Sequence, residues 1–310
     1  MITSTRMLLA STGLALMGAC SDVNNSQAAY IPEETLSFTP NTEMSIRGQI
    51  NQPANAPSLK YKVPGETSPK AFSRVKTNPD AFVTQFRQAA SQAPTVHITF
   101  NSLGGSIYGG LNMNDAFSAS QAQLVYYCDG ANASMSSYLY TANDQHAIKD
   151  ADEDCTHLFH RPAHFSKFDG IAATLRITDY LPYYNQLKAD PSLETIAVDI
   201  GKGHTVDFPR EALIERYELL VESEKIGAEL ISQNSRISAR DLEVMYRSGG
   251  NDGVFGRRGD DISMNVWTAA ALGIVDTING EAPDTAKTEA ELDKFCSGFG
   301  ANQAQLSFCS

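Results

Sequence analysis

Apolar and polar positions alternate along this chain in short runs separated by amphipathic stretches. Thr95–Phe100 (TVHITF) alternates and is rich in β-branched and aromatic residues, which predicts a strand. It runs into Asn101-Ser102-Leu103-Gly104-Gly105, a predicted turn, and then into Ser106–Phe117, a predicted helix despite its two internal glycines. Gln123–Cys128 (QLVYYC) repeats the pattern, leading through the small-residue turn GANASM (Gly130–Met135) into another helix. Thr156–His160 predicts a further strand, stopped by Pro162. Strand, glycine turn, helix is a layout that exposes backbone N–H groups at the carboxyl edge of an α/β sheet, where such proteins place ligands.

Downstream, Phe165–Phe208 suggests a short helix and a strand pair turning at Gly201-Lys202-Gly203. Arg210–Asn234 predicts a long amphipathic helix with Leu213, Tyr217, Leu220, Val221, Gly227, Ala228 and Ile231 on one stripe. Ser238, with Asp241 at the third helical position, opens another helix that Gly249 stops.

The candidate chemistry lies in Tyr126–His164. Serine is a weak nucleophile at neutral pH and needs a base to take its proton and N–H groups to hold the oxyanion. Ser134 follows a turn of small residues and opens a helix, with the Met135 N–H pointing outward; His160, 26 residues further on and two before Pro162, is the candidate base. The plainer reading makes Ser134 a helix cap and Ser136 and Ser137 small packing residues. His157 lies on the opposite face of its strand from His160, because residues 156, 158 and 160 share one side. A zinc site of His157, His160 and His164 is disfavoured, since a strand ending at a proline offers no firm three-ligand geometry. No metal or other cofactor is expected.

The amino terminus indicates where this chemistry takes place. Arg6 precedes an apolar run, Met7–Ala19, too short to span a bilayer and arranged as an export signal. It ends in Leu16-Met17-Gly18-Ala19-Cys20, and small residues before a cysteine resemble a bacterial lipobox, with Cys20 as the lipidated residue; the alternative is a plain secretory signal cleaved near Ala19. The expectation is an exported protein anchored to, rather than spanning, a membrane. Ser21 after the cysteine leans towards the periplasmic side of the outer membrane if the source is Gram-negative. Residues 21–42 are polar and nonperiodic and read as a flexible tether.

With 42% hydrophobic and 19% charged residues, the 310-residue chain is able to bury a substantial core, predicted as one catalytic domain over 43–279 with a tail at 280–310. A net charge of −12 argues against a nucleic-acid partner, which requires a basic patch.

Several of these motifs carry a family resemblance. NSLGGSIYGGLNMNDAF resembles the Asn-Ser-Pro-Gly-Gly strand-turn-helix of the Clp protease proteolytic subunit, GANASM its Gly-x-Ala-Ala-Ser-Met nucleophile turn, and His160-Arg161-Pro162 its His-Gln-Pro. Asp261-Ile262-Ser263-Met264 with Ala269–Asp276 is similar to its closing elements. The resemblance implies an α/β fold of the ClpP/crotonase-like type, a spiral of repeated ββα units in a single domain with an insertion over about 165–208. It implies Ser134 as nucleophile, His160 as general base and then acid, Asp261 as the group orienting the imidazole, and Gly104 and Met135 as oxyanion donors. Leu103, Asn132 and Arg161 depart from the family residues. The long separation of His160 and Asp261 leaves Asp252 and Asp260 as substitutes for the third role.

The implied activity is that of a serine endopeptidase acting on polypeptides. The alternatives are a noncatalytic binding or scaffold protein on the same fold, or a crotonase-like enzyme of acyl thioesters, which needs the oxyanion donors without a serine nucleophile. The long 210–234 helix corresponds to a subunit-contact element in the family, so a homo-oligomer is expected. An exported protein meets no ATP pool, so no ATP-driven unfoldase is expected. Export also favours disulfides among Cys128, Cys155, Cys296 and Cys309. The family fold implies neighbouring strands that would let Cys128 and Cys155 link, while Cys296 and Cys309 would close a small loop in the tail. For the insertion, a lid, a substrate-binding wall and plain decoration all stay open.

Overall fold

The computed structural model describes residues 43–50, 60–61, 70–71, 76–142, 147–168, 171–201, 203–248 and 261–309. The leader with Cys20, the tether, Asp252 and Asp260 lie outside the described residues.

The first part of the chain builds the sheet. It comprises β1 (Glu43–Ile50), the two-residue strands β2 (Lys60–Tyr61), β3 (Lys70–Ala71) and β4 (Lys76–Thr77), α1 (Pro79–Gln92), β5 (Thr95–Gly105), α2 (Ile107–Ser118), β6 (Gln123–Ala133), α3 (Met135–Thr141), β7 (Ala147–Ala151) and β8 (Thr156–His160). Then come β9 (Ala163–Phe168), β10 (Ile171–Arg176), α4 (Ile177–Ala189), β11 (Thr195–Gly201) and β12 (His204–Pro209). The chain closes with α5 (Arg210–Gln233), α6 (Ala239–Arg247), β13 (Asp261–Asn265), α7 (Val266–Ala271), β14 (Thr277–Ile278), α8 (Thr285–Ser297) and a 3-10 turn at Gly300–Gln305.

Among the described residues, eight strands form the main sheet in the order β13-β8-β6-β5-β1-β4, with β7 on β6 and β14 on β7. Neighbours from β1 through β8 run parallel, as strands joined by crossover helices must, whereas β13 is antiparallel to β8. β6 is the branch point. Its first half, Leu124–Cys128, pairs with β7, and its end, Ala131–Ala133, pairs with β8. That split carries the chain past the sheet and brings the ends of β6, β8 and β13 side by side.

Both glycine-containing turns differ from the sequence expectation. β5 continues as strand through Gly104 and Gly105, and β6 through Ala133. The reason is tertiary pairing: after a bulge, Gln49 and Ile50 of β1 register with Gly104 and Gly105, and β8 captures the end of β6. The reversal is thereby confined to Ser134. The two glycines inside α2 serve close approach, since a Cβ on Gly109 would lie 2.5 Å from Pro79 Cγ and one on Gly110 would lie 2.2 Å from Met135 Cγ.

Among the described residues, apolar side chains gather in two clusters. The larger lies between the sheet and its helices, where Phe82, Phe86, Phe100, Phe117, Tyr126 and Tyr140 are buried together, with Phe86 and Phe117 edge-to-face at 4.9 Å. The smaller belongs to 163–220 and is built from Leu175, Tyr180, Leu187, Val198, Phe208 and Leu213 among others. α5 joins them, giving Leu213 and Leu220 to the smaller cluster and Ile231 to the larger. Its exposed face includes Val221, contrary to the stripe read from sequence, while Ser223 is turned inward. The α6 capping box of Ser238 and Asp241 forms as read, and Asp241 also accepts from Ser307 N–H at 2.7 Å, tying the tail to the domain.

Disulfides join Cys128 to Cys155 and Cys296 to Cys309, with Cα separations of 5.9 and 5.7 Å. Among the described residues, no helix is long and apolar enough to cross a membrane.

Candidate active site

The centre of the site is the residue where β6 ends. Ser134 has φ 56° and ψ −131°, a left-handed strand-to-helix elbow that a non-glycine residue adopts only when its surroundings enforce it. The surroundings are visible: the Ser134 N–H donates to Leu158 O at 2.7 Å, and its carbonyl accepts from Tyr138 N–H at 3.2 Å. Ser137 fastens the other side, its hydroxyl donating to Asn132 O and accepting from Leu158 N–H at 3.3 Å. Ser134 makes no side-chain cap bond, so the plain cap reading does not describe it. It is half-buried, whereas Ser136 and Ser137 are fully buried. Of the three serines, Ser134 is the one that is partly exposed.

Gly104 abuts this elbow. Its φ is +77°, and an added Cβ would stand 2.5 Å from both Ala133 O and Met135 N. The end of β5 therefore approaches the elbow only because the residue is glycine. The structure thus brings the two predicted oxyanion residues, Gly104 and Met135, into contact range. Met135 N–H is the first amide of α3 and has no partner of its own within the helix geometry. Gly104 N–H donates to Ser102 Oγ at 3.1 Å, and Ser102 in turn donates to Gly48 O at 2.7 Å.

His160 closes β8, the strand that holds Ser134 through Leu158. Its Nδ1 lies 2.7 Å from Arg161 O. A carbonyl only accepts, so Nδ1 carries the proton and Nε2 of the neutral ring is the acceptor, the tautomer a general base requires. The His160 carbonyl accepts from Tyr138 Oη at 3.1 Å, and Tyr138 Oη is 3.1 Å from Tyr246 Oη. Burial pushes the Tyr138 hydroxyl up to about 12, so it donates as a neutral phenol throughout the physiological range. Arg161 is held by an ion pair to Glu224 at 3.3 Å, with its guanidinium 5.3 Å from the Tyr246 ring centre.

Asp261 begins β13 directly opposite His160, as its cross-strand partner. Its side chain is almost fully buried, and Arg176 Nη2 lies 3.4 Å from its Oδ1. Arg176 comes from the end of β10, in the segment read from sequence as an insertion.

The other histidines are elsewhere. His157 is sealed on the opposite face of β8, its ring centre 4.9 Å from that of Tyr140 and its Nε2 3.5 Å from Cys155 Sγ. Burial, with Lys149 nearby, lowers it to about 3. His164 Nδ1 is 3.0 Å from Tyr180 Oη, and burial with Arg216 nearby lowers it to about 4. The three histidines therefore do not converge on one point. Among the described residues, the metal-ligand grouping that does form is Cys128, Cys155 and His157, and its two cysteines are joined to each other.

Sequence reasoning missed Ser102, Ser137, Tyr138 and Arg176 as contributors. Ser137 and Tyr138 follow the nucleophile turn at helical spacing and were legible as its inner face. Nothing local marks Arg176, which reaches Asp261 across 85 residues of sequence.

The fold and this arrangement define an α/β protein of the ClpP/crotonase-like class, with a serine on an enforced elbow and a histidine at the end of the adjoining strand. Residues 77–180 match the family described as Clp protease. The matched stretch contains Ser134 and His160 and ends before Asp261. Solved structures similar to the chain include a ClpP1 mutant from Listeria monocytogenes, at 15% identity and TM-score 0.44, covering 80% of this chain and 95% of that one. Another is the ClpP protease catalytic domain from Plasmodium falciparum, at 15% identity and TM-score 0.42, covering 76% of this chain and 83% of that one. No curated protein sequence matches the chain. The family supports a peptidase.

Proposed function

We propose that the protein is an exported serine endopeptidase that cleaves polypeptides through an acyl-enzyme. The observation that carries the reading is the Ser134 elbow: a half-exposed serine in left-handed backbone, hydrogen-bonded to the strand that ends in a histidine with its Nδ1–H fixed. A packing serine has no need of such a conformation.

In the proposed reaction Ser134 Oγ attacks the scissile carbonyl carbon while its proton passes to His160 Nε2. The oxyanion is held by the Met135 N–H and by the Gly104 N–H, which exchanges Ser102 Oγ for the substrate oxygen. His160 then gives its proton to the leaving amine as the C–N bond breaks. Water, deprotonated by the same nitrogen, hydrolyses the ester and frees Ser134. Asp261, facing His160 from β13, is the carboxylate that stabilises the imidazolium.

Export rests on Arg6, the Met7–Ala19 apolar run and the small residues before Cys20, and the two disulfides support an oxidising compartment. Cys20 carries a lipid that anchors the protein to the cell envelope, on the periplasmic side of the outer membrane in a Gram-negative cell. The protein acts on unstructured or small polypeptides, without an ATP-driven unfoldase, and self-associates through the outer face of α5.

Hydrolysis of a fluorogenic peptide set tests the reading. Turnover by wild type, lost by about 10³-fold or more in both Ser134→Ala and His160→Ala, is expected; equal turnover in wild type and Ser134→Ala sinks it. Sedimentation that gives a strict monomer removes the self-association, and ATP-dependent degradation with a cognate unfoldase removes the claim of independence.

A further inference from the structure

The segment 163–209 packs around its own apolar cluster, yet one of its side chains leaves that cluster and enters the catalytic centre. Arg176 is the last residue of β10 and the N-cap of α4. Its own N–H donates to Asp179 Oδ2 at 2.9 Å, which fixes its backbone at the start of the helix. From there the guanidinium reaches Asp261 at 3.4 Å, with side-chain exposures of 13% and 2%. Asp261 and His160 are cross-strand partners, so the ion pair lies beside the base.

We propose that Arg176 is a positioning residue of this site: it holds the Asp261 carboxylate in place and offsets its charge beside His160, so that the 163–209 segment completes the catalytic centre. The inference rests on the Ser134–His160 reading. His160 already receives its tautomer from the Arg161 carbonyl, so the carboxylate acts on the ring chiefly through its charge. A buried carboxylate without a counter-charge would favour the imidazolium and leave too little free base at neutral pH. Arg176 limits that effect.

Among the described residues, the other groups named around His160 carry little net charge. Arg161 is paired with Glu224 of α5, and Tyr138 of α3 and Tyr246 of α6 are uncharged because burial raises both hydroxyls. Arg176 and Asp261 are therefore the described pair whose substitution moves the ring's proton affinity most.

The test is a titration of His160 by NMR in the full chain labelled with ¹³C-histidine, its signal assigned by loss in His160→Gln. Arg176→Gln removes a positive charge and is expected to raise the midpoint by about one pH unit. The isosteric Asp261→Asn is expected to lower it by a similar amount, and Arg176→Lys to leave it within a few tenths of wild type. The acid limb of fluorophosphonate labelling should move in the same directions. An unchanged midpoint in Arg176→Gln or Asp261→Asn overturns the proposal, as does Arg176→Lys behaving like Arg176→Gln, which would mean packing rather than charge. Labelling at Ser134 with unmoved midpoints leaves the peptidase reading standing and removes this inference. Midpoints that move as stated in a protein that never labels do the reverse.

Discussion

The sheet with its helices and the 163–209 segment are built by different means. In the first, the geometry is set by main-chain closeness: Gly104 against the Ser134 elbow, Gly110 against Met135, and Ser137 bridging β6 to β8. In the second, two antiparallel hairpins and α4 surround a modest apolar cluster, and long side chains make the outward contacts. The serine and histidine belong to the first region, whereas the guanidinium on Asp261 comes from the second. The proposed reactive groups are thus placed by tightly packed backbone, and the guanidinium on Asp261 is supplied by a side chain of the 163–209 segment.

Gly104→Ala strikes the first region hardest. The new Cβ meets two backbone atoms at 2.5 Å and the residue must keep φ +77°, so neither a rotamer change nor a side-chain shift relieves it. Loss of labelling and turnover by at least about 10²-fold is expected, with destabilisation by roughly 3 kcal/mol or more. Near-normal turnover would show that the elbow does not depend on this approach.

Leu187→Ala addresses the second region. Leu187 is fully buried in the smaller cluster, and its truncation should cost about 2–5 kcal/mol. Hydrogen exchange should report that cost in 171–208 while the amides of β5 and β6 keep their protection. A uniform loss across both regions would abolish the distinction between them.

Each region also buries one histidine in its neutral form, which separates them by pH. Both have folded values below the ordinary 6.5, at about 3 for His157 and about 4 for His164. The unfolded chain therefore takes up protons that the folded chain refuses. The stability present above about pH 6.5 is lost as pH falls, at roughly 1.4 kcal/mol per pH unit for each histidine between its two values. His164→Gln should flatten the contribution from the 163–209 segment between about pH 6.5 and 4 while the His157 contribution persists. Chemical denaturation at a series of pH values reads both, and a pH-independent midpoint contradicts the burial of these rings.

Tyr138→Phe makes the smallest change, removing the donor to His160 O and the contact with Tyr246 Oη. A loss of about 1 kcal/mol in stability and a few-fold loss in labelling rate are expected. A loss as large as that of His160→Ala would make Tyr138 a participant rather than a brace.

The difference between the regions also governs what was legible in the sequence. β5, α2, β6 and β8 were visible because period-2 alternation, small-residue turns and Pro162 are local signals, and the same motifs carried the family resemblance. The strands were placed too short because their last residues are strand only through pairing with β1 and β8. In the 163–209 segment β11 and β12 are readable from alternation about a glycine turn, and the short helix read in Lys167–Leu187 forms as α4, but β9 and β10 before it are not readable in that pattern. Asp241 was legible as a capping residue, and its second role in holding the tail was not. Arg176 carried no signal, since its partner is fixed only when β13 pairs with β8.

The account turns on Ser134, and mass mapping of the adduct formed by a fluorophosphonate probe on the full-length protein tests it most directly. The expected result is a single adduct on Ser134, absent from both Ser134→Ala and His160→Ala. An adduct on Ser136 or Ser137, or a wild-type protein that takes no label at any pH, would contradict it.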